Sequence, residues 1–287
     1  MVQENIINEN EFLLFKGYIE ESCGIAIPPE KAYLIESRLT KLMLDVGTDS
    51  FGEFYSYIKG TSDSIIRQKI IDAITTNETL WFRDSLPWQV LEERYLPKLI
   101  EELRAGRKER VRIWCAAVST GQEAYSTVMC VDNYLRENNI NDVELSNFEF
   151  LATDISSRVL DIAKKGRYDK ISIMRGLDDD YREKYFTEID AAWEIDSKIR
   201  NAVKFEHFNL KDSYWRLGQF DIIFCRYVLI YFSEELKEEI ILKMKDSLAN
   251  DGILFTGNYV LYDLLKDIYK MEHYNNLTYY TKKVVIT

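Results

Sequence analysis

Apolar residues fall into two regimes along this chain. Over residues 1–75 they recur at helical spacing, and no strand pattern appears. Phe12, Leu13, Phe15, Tyr18 and Ile19 mark one amphipathic helix, which Cys23 and Gly24 break. Pro28 and Pro29 open a second, with Tyr33, Leu34, Leu39, Leu42 and Met43 along one side, and Gly47 ends it. Phe51, Phe54, Tyr55 and Ile58 supply a third. The pattern predicts a small all-α domain over residues 1–76. From residue 77 onward, helices alternate with short apolar runs. A helix is expected over 88–103, a charged turn over 104–110, and a strand opening at Val111. Further strands are expected over 148–153, 203–208, 220–225 and 253–256, with helices from about Glu123, over 156–164 and over 234–248. Two late strands near 268–273 and 277–284 predict an antiparallel hairpin at a sheet edge. This alternation is that of an α/β doubly wound sheet. Ile222, Ile223 and Phe224 are apolar on both faces, as a central parallel strand should be. Residues 167–202 are too long for one connection and mix helix-like with strand-like pieces, so an inserted subdomain is expected.

The stretch 111–125 carries the first chemical hint. It runs from a strand through small residues at Ala116, Ala117, Ser119 and Gly121 into an amphipathic helix. Small side chains let backbone approach a ligand closely, and a helix start directs free N–H groups at it. The run has neither G-x-G-x-x-G nor G-K-[ST], so a dinucleotide or triphosphate loop is not indicated. Asp154 ends the second strand, where a carboxylate can hold ribose hydroxyls or cap the following helix. The hydroxyls and Asn77 of residues 75–84 suit a turn and an N-cap. That segment is either a connector or a polar lip over the nucleotide site, with Arg83 as its charge.

Composition narrows the class. With 287 residues, 46% of them apolar, and only 4 prolines and 12 glycines, the chain is globular with ample core. Its acidic start does not read as a secretory signal, and no apolar run approaches a bilayer span. Cys23, Cys115, Cys130 and Cys225 have neither zinc-like nor disulfide-scaffold spacing, so they read as reduced core residues in a cytoplasmic protein, and no metal is expected. Two histidines, His207 and His273, leave little room for Ser-His, Cys-His or His-metal chemistry. A net charge of −11 argues against nucleic acid as the main partner.

Four tokens then carry a resemblance. They are Thr-Asn-Glu-Thr-Leu-Trp-Phe-Arg at 76–83, Trp-Cys-Ala-Ala-Val-Ser-Thr-Gly-Gln-Glu-Ala-Tyr-Ser at 114–126, Ala-Thr-Asp-Ile-Ser at 152–156 and Phe-Asp-Ile-Ile-Phe-Cys-Arg-Tyr-Val-Leu-Ile-Tyr-Phe at 220–232. In this order they resemble the chemotaxis-receptor methyltransferase family, which esterifies receptor glutamates with S-adenosylmethionine. The resemblance covers nearly the whole chain. It implies a helical N-terminal domain that meets the receptor's cytoplasmic helical region, and a Rossmann-like methyltransferase domain over 77–287 with a small inserted β subdomain. It implies cofactor contacts at Asn77, Thr79, Arg83, Glu123, Asp154, Asn209, Leu210, Cys225 and Arg226, and it places Tyr231 facing the methyl group. Two departures stand out: Tyr227 where the family usually has Asn, and Gly257-Asn258-Tyr259-Val260 where it usually has Gly-His/Asn-Ser-Glu.

The shortage of histidine fits that chemistry, because a glutamate carboxylate is already a nucleophile at neutral pH. Arg83 is expected to orient either the acceptor carboxylate or the cofactor's own, and Tyr231 to donate a hydrogen bond near the methyl. Other readings are a cofactor-sensing protein that transfers nothing and a small-molecule methyltransferase. Some members of the family tether to a C-terminal receptor peptide through a longer, glycine-containing loop of the inserted subdomain. Here residues 186–195 are short and acidic, with no glycine, so no pentapeptide tether is expected. Residues 30–60 hold four Lys/Arg against five Asp/Glu, so docking by shape and apolar contact is expected, with mild salt sensitivity.

Overall fold

The computed structural model describes residues 6–61, 63–257 and 268–283. Its first helix, α1 (Glu9–Cys23), starts at a reciprocal cap. The Asn8 side chain accepts from Glu11 N at 3.0 Å while the Glu11 carboxylate accepts from Asn8 N at 3.0 Å. It ends on Gly24, left-handed at φ 80°. α2 (Tyr33–Asp45) and α3 (Phe51–Gly60, capped by Ser50) follow as expected. α4 (Ser64–Ile74, capped by Asp63) completes the unit. Ile66, Ile70, Ile71 and Ile74 line one face of it. The four helices bury a core of their own, in which Phe15 stacks on Phe54 at 5.6 Å and meets Phe51 edge-on at 5.7 Å.

In place of one helix over 88–103 stand α5 (Leu86–Val90), a π turn over Leu91–Tyr95 and α6 (Leu96–Arg104). Pro97 explains the widening, since it has no N–H to donate and its ring crowds the preceding turn. Then come β1 (Val111–Ala116), α7 (Gln122–Glu137), β2 (Phe148–Asp154) and α8 (Ser157–Lys165). The insertion holds β3 (Arg167–Asp169), α9 (Lys170–Met174), α10 (Asp179–Tyr185), β4 (Phe186–Ile189), β5 (Ala192–Ile195) and α11 (Ser197–Ala202). The chain closes with β6 (Val203–His207), β7 (Phe220–Phe224), α12 (Glu234–Ser247), β8 (Leu248–Phe255), β9 (Tyr269–Tyr274) and β10 (Leu277–Lys282).

Seven strands form one sheet in the order β6-β2-β1-β7-β8-β10-β9. The first five are parallel, and β10 runs antiparallel between β8 and β9. Both faces are covered. Ile113, Cys115, Ile222 and Phe224 point into one core, and Trp114, Ala116, Ile223 and Leu254 into the other. That is why these strands read as continuous apolar runs. β3, β5 and β4 form a separate antiparallel sheet with β5 central. Its hairpin turns on two residues, Asp190 and Ala191, both left-handed at φ 49° and 60°.

The helical unit sits against the C-terminal ends of the parallel strands. Lys211 Nζ donates to the last carbonyls of α1, Glu20 O at 2.8 Å and Glu21 O at 2.6 Å, placing a cation on the negative end of that helix. Asn209 Nδ2 donates to Ser22 O at 3.0 Å, and Ala26 N to Tyr231 O at 2.8 Å. A Cβ on Gly24 would stand 2.4 Å from Leu236 Cδ2, so glycine allows both the helix stop and this close approach. Among the described residues, no helix is long and apolar enough to cross a membrane.

Candidate active site

The β1–α7 turn is built from left-handed residues: Ala117 at φ 59°, Ser119 at φ 54° and Gly121 at φ 98°. At Gly121 a Cβ would lie 3.0 Å from Ala163 Cβ and 3.2 Å from the Tyr125 ring and the Tyr168 hydroxyl, so α8 and β3 close around bare backbone there. Asp154 fixes this turn. One oxygen of its carboxylate accepts from Ser119 N at 2.8 Å and the other from Ser156 N at 2.9 Å. The cap of α8 is Ser156, whose hydroxyl accepts from Val159 N, so Asp154 does not serve as that cap. Burial raises the Asp154 carboxyl above its ordinary range, and the N–H groups of Ser156 and Ser119 pull it back in part.

Along the strand ends runs a pocket of about 900 Å³, part of it open to solvent. Its walls come from four loops that follow parallel strands, the position where open α/β sheets bind ligands. They contribute Ala117 and Ser119, Asp154 and Ile155, Phe208 to Leu210, and Arg226 to Phe232. The lip contributes Thr75 to Glu78 and Arg83, and the helical unit adds Cys23 and Ile25. Of the sequence candidates, Asn77, Arg83, Asp154, Asn209, Leu210, Arg226 and Tyr231 line it. Thr79, Glu123 and Cys225 do not. Glu123 instead commits its carboxylate to Arg226, and Cys225 is buried in the sheet core with its N–H donating to Phe255 O at 2.8 Å.

The lip makes no helix cap of its own. Asn77 Nδ2 donates to Thr75 Oγ1 at 3.3 Å, and the hydroxyl of Ser119 donates to Asn77 O at 2.9 Å, tying lip to turn. Trp81 is its anchor. It is fully buried, donates from Nε1 to Ser172 O at 3.0 Å and meets Tyr168 and Phe186 edge-on. At Gly176 a Cβ would stand 2.4 Å from Trp81 O, so lip and inserted subdomain touch backbone to backbone.

Two arginines at the far end do different work. Arg226, buried, donates to Asp84 Oδ2 at 2.6 Å, Arg83 O at 2.6 Å and Glu123 Oε2 at 2.9 Å. Burial raises the Glu123 carboxyl and the Arg226 charge opposes that rise. Arg83 makes a single long hydrogen bond, to Glu78 O at 3.4 Å, and forms no ion pair among the described residues. Its guanidinium lies 3.5 Å above the Tyr227 ring and faces the pocket with most of its donors unspent. Tyr231 is half-buried on a short 3-10 turn, Leu229–Tyr231, and its hydroxyl has no hydrogen bond among the described residues. Tyr231, Ile230, Thr76 and Ile25 also line a second groove, which runs outward between the helical unit and the sheet. Sequence reasoning missed Ile25, Ile155, Phe208 and Val228 as walls, since apolar residues outside regular elements carry no spacing signal, and Cys23, since periodicity does not show what the end of α1 packs against. The segment with Asn258, Tyr259 and Val260 lies outside the described residues.

Comparison with known proteins agrees with this geometry. The family described as "CheR methyltransferase, all-alpha domain" matches residues 10–75, and "CheR methyltransferase, SAM binding domain" matches residues 77–274. A chemotaxis protein methyltransferase of Pseudomonas aeruginosa is 42% identical over 262 residues, covering 91% of this chain and 93% of that protein. One from Pseudomonas putida is 40% identical over 91% of this chain and 94% of its own length. One from Vibrio anguillarum is 38% identical over 88% and 89%. The chain belongs to the CheR methyltransferase family, with the all-α domain followed by the S-adenosylmethionine (SAM) binding domain.

Proposed function

We propose that this protein transfers a methyl group from S-adenosylmethionine to glutamate side-chain carboxylates in the cytoplasmic helical region of a chemoreceptor. The observation that carries the reading is the junction at Tyr231. There the pocket, with its unpaired guanidinium, shares walls with a groove lined by the helical unit and by the loop that follows β7. A cofactor chamber joined to an outer groove suits a macromolecular acceptor better than a free metabolite. The names of the relatives, chemotaxis protein methyltransferases, support the same partner.

The residues present fit the cofactor. Asp154 has lone pairs left for ribose hydroxyls, Asn209 and Leu210 edge the space suited to the base, Asn77 borders the lip side, and Arg83 offers a planar fork to a carboxylate. Thr79, Glu123 and Cys225 then act from behind the wall, Glu123 through Arg226. When bound, S-adenosylmethionine supplies a methyl group activated by a sulfonium. The chain's own task is to hold an acceptor oxygen in line with that group, and such positioning is worth roughly 7–11 kcal/mol. A carboxylate needs no general base, but desolvation in the pocket favours its neutral form. Arg83 opposes that neutralisation by its charge, and Tyr231 donates a hydrogen bond from the groove side.

Docking rests on the helical unit rather than on the inserted sheet. The hairpin after β4 is a tight two-residue turn with Asp190 at its tip, and Arg167 holds Glu194 at 3.1 Å beside it. An acidic receptor tail would meet Glu188, Asp190 and Glu194 there. The test is transfer of labelled methyl to receptor cytoplasmic fragments with and without their C-terminal pentapeptide. Base-labile glutamyl esters formed equally on both are expected. No transfer despite tight S-adenosylhomocysteine binding would leave a cofactor sensor, and transfer that collapses without the tail would overturn the docking proposal.

A further inference from the structure

Tyr227 stands in a conformation that a large side chain rarely adopts, left-handed at φ 60°. Three contacts hold it. Its ring lies under the Arg83 guanidinium at 3.5 Å, its hydroxyl donates to Asp84 Oδ2, and its ring edge passes Gly257, where a Cβ would stand 3.3 Å away. Gly257 is itself left-handed at φ 75°. Arg83 and Asp84 are chain neighbours of opposite charge and could spend themselves on each other. The pair at the end of β7 prevents this. Arg226 and the Tyr227 hydroxyl share Asp84 Oδ2, while the Tyr227 ring carries Arg83. One guanidinium is consumed by carboxylates, and the other is left unpaired and open toward the pocket.

We propose that Tyr227 is a positioning residue, a platform that aims the Arg83 fork at a ligand carboxylate. This inference rests on the methyl-transfer reading, in which two carboxylates can come within reach: that of the cofactor's amino-acid part and that of the acceptor glutamate. The shared chemistry is a carboxylate facing a stacked guanidinium. A planar cation on a ring face loses little freedom on binding, whereas a swinging side chain must be ordered first.

The experiment compares wild type with Tyr227→Leu, Tyr227→Phe and Arg83→Ala, each first shown to melt cooperatively. Calorimetry uses S-adenosylhomocysteine and 5′-methylthioadenosine, which lacks the amino-acid carboxylate. If the cofactor carboxylate is the ligand, Tyr227→Leu weakens S-adenosylhomocysteine about five- to tenfold and leaves methylthioadenosine unchanged. If the acceptor carboxylate is the ligand, both affinities hold and the KM for receptor fragments rises by a similar factor. Tyr227→Phe, which keeps the ring, retains most of the wild-type value in either case. In the Arg83→Ala background, Tyr227→Leu adds nothing further, because the tyrosine acts through the arginine. Equal weakening of both nucleosides, an additive double variant, or wild-type behaviour of Tyr227→Leu in both assays would overturn the proposal. Should wild type methylate no receptor fragment, only the cofactor carboxylate is left as ligand; unchanged S-adenosylhomocysteine affinity in Tyr227→Leu then overturns the proposal by itself, so the two readings fail separately.

Discussion

At one end of the pocket Asp154 is gripped by backbone N–H groups of Ser119 and Ser156; at the other, Arg83, Asp84, Arg226 and Tyr227 hold one another by side chains. The first corner uses residues at or just past the ends of two adjacent parallel strands, β1 and β2, in direct register up to Ala116 and Thr153. Its geometry follows from sheet pairing and a short turn. The second joins residues 143 positions apart, from the lip and the end of β7, with Phe82, Asp84, Ser85 and Tyr227 all at positive φ. Backbone-built corners are rigid and tolerate little variation. Side-chain-built corners can be retuned by one substitution, and the Tyr227 departure falls in that corner.

The largest expected effect lies in the side-chain corner. Arg226 has a side chain only 1% exposed, set between Glu123 and Asp84. Arg226→Met leaves the Glu123 carboxylate buried without its counter-charge, a change that costs about 3–5 kcal/mol of stability. A urea melt should show this directly, together with loss of S-adenosylhomocysteine binding. A variant as stable as wild type would mean that this corner is not the structural keystone the contacts describe.

The backbone corner is next. Asp154→Ala should weaken S-adenosylhomocysteine at least tenfold, as expected for losing one side of a charge-assisted hydrogen bond, worth about 1.5–3 kcal/mol. Unchanged affinity in a folded variant removes Asp154 from the site. The same corner gives a pH signature. The ionised carboxylate is the form that accepts from ligand hydroxyls, and burial places its midpoint above the ordinary 3.8. Affinity should therefore be level near neutrality and fall on acidification, beginning above that value. For folding the sign is opposite: a raised carboxyl costs stability as pH climbs from the unfolded to the folded midpoint. Affinity that shows no fall on acidification while the protein stays folded would argue that Asp154 makes no contact.

The smallest effect on binding belongs to Tyr231, between pocket and groove. Tyr231→Phe should lower kcat while leaving S-adenosylhomocysteine affinity within about twofold, since the hydroxyl acts at the transferring centre rather than on the bound ground state. Full turnover in this variant would return Tyr231 to a packing role.

The α/β architecture, the helical start, the strand-end carboxylate and the lip arginine were all legible in the chain. They are signalled locally, by period, by small residues in a βα turn and by turn chemistry that neighbours in sequence impose on one another. α4 went unread although Gly60 closes the helix before it and Asp63 caps it, and its isoleucines keep helical spacing. The split of the helix before β1 was not read, although Pro97 signals it, and its π turn has no local signal. What required the folded molecule was every relation between distant segments. Loop apolar residues became pocket walls, the end of α1 became a wall held by Lys211, and Glu123 proved to reach Arg226 rather than the pocket. Which of two arginines is left unpaired for a ligand is set by which carboxylates the fold brings near each one. Periodicity places a residue on a face, but ion pairing at about 3 Å depends on the packing of elements far apart in the chain, and no local pattern encodes it.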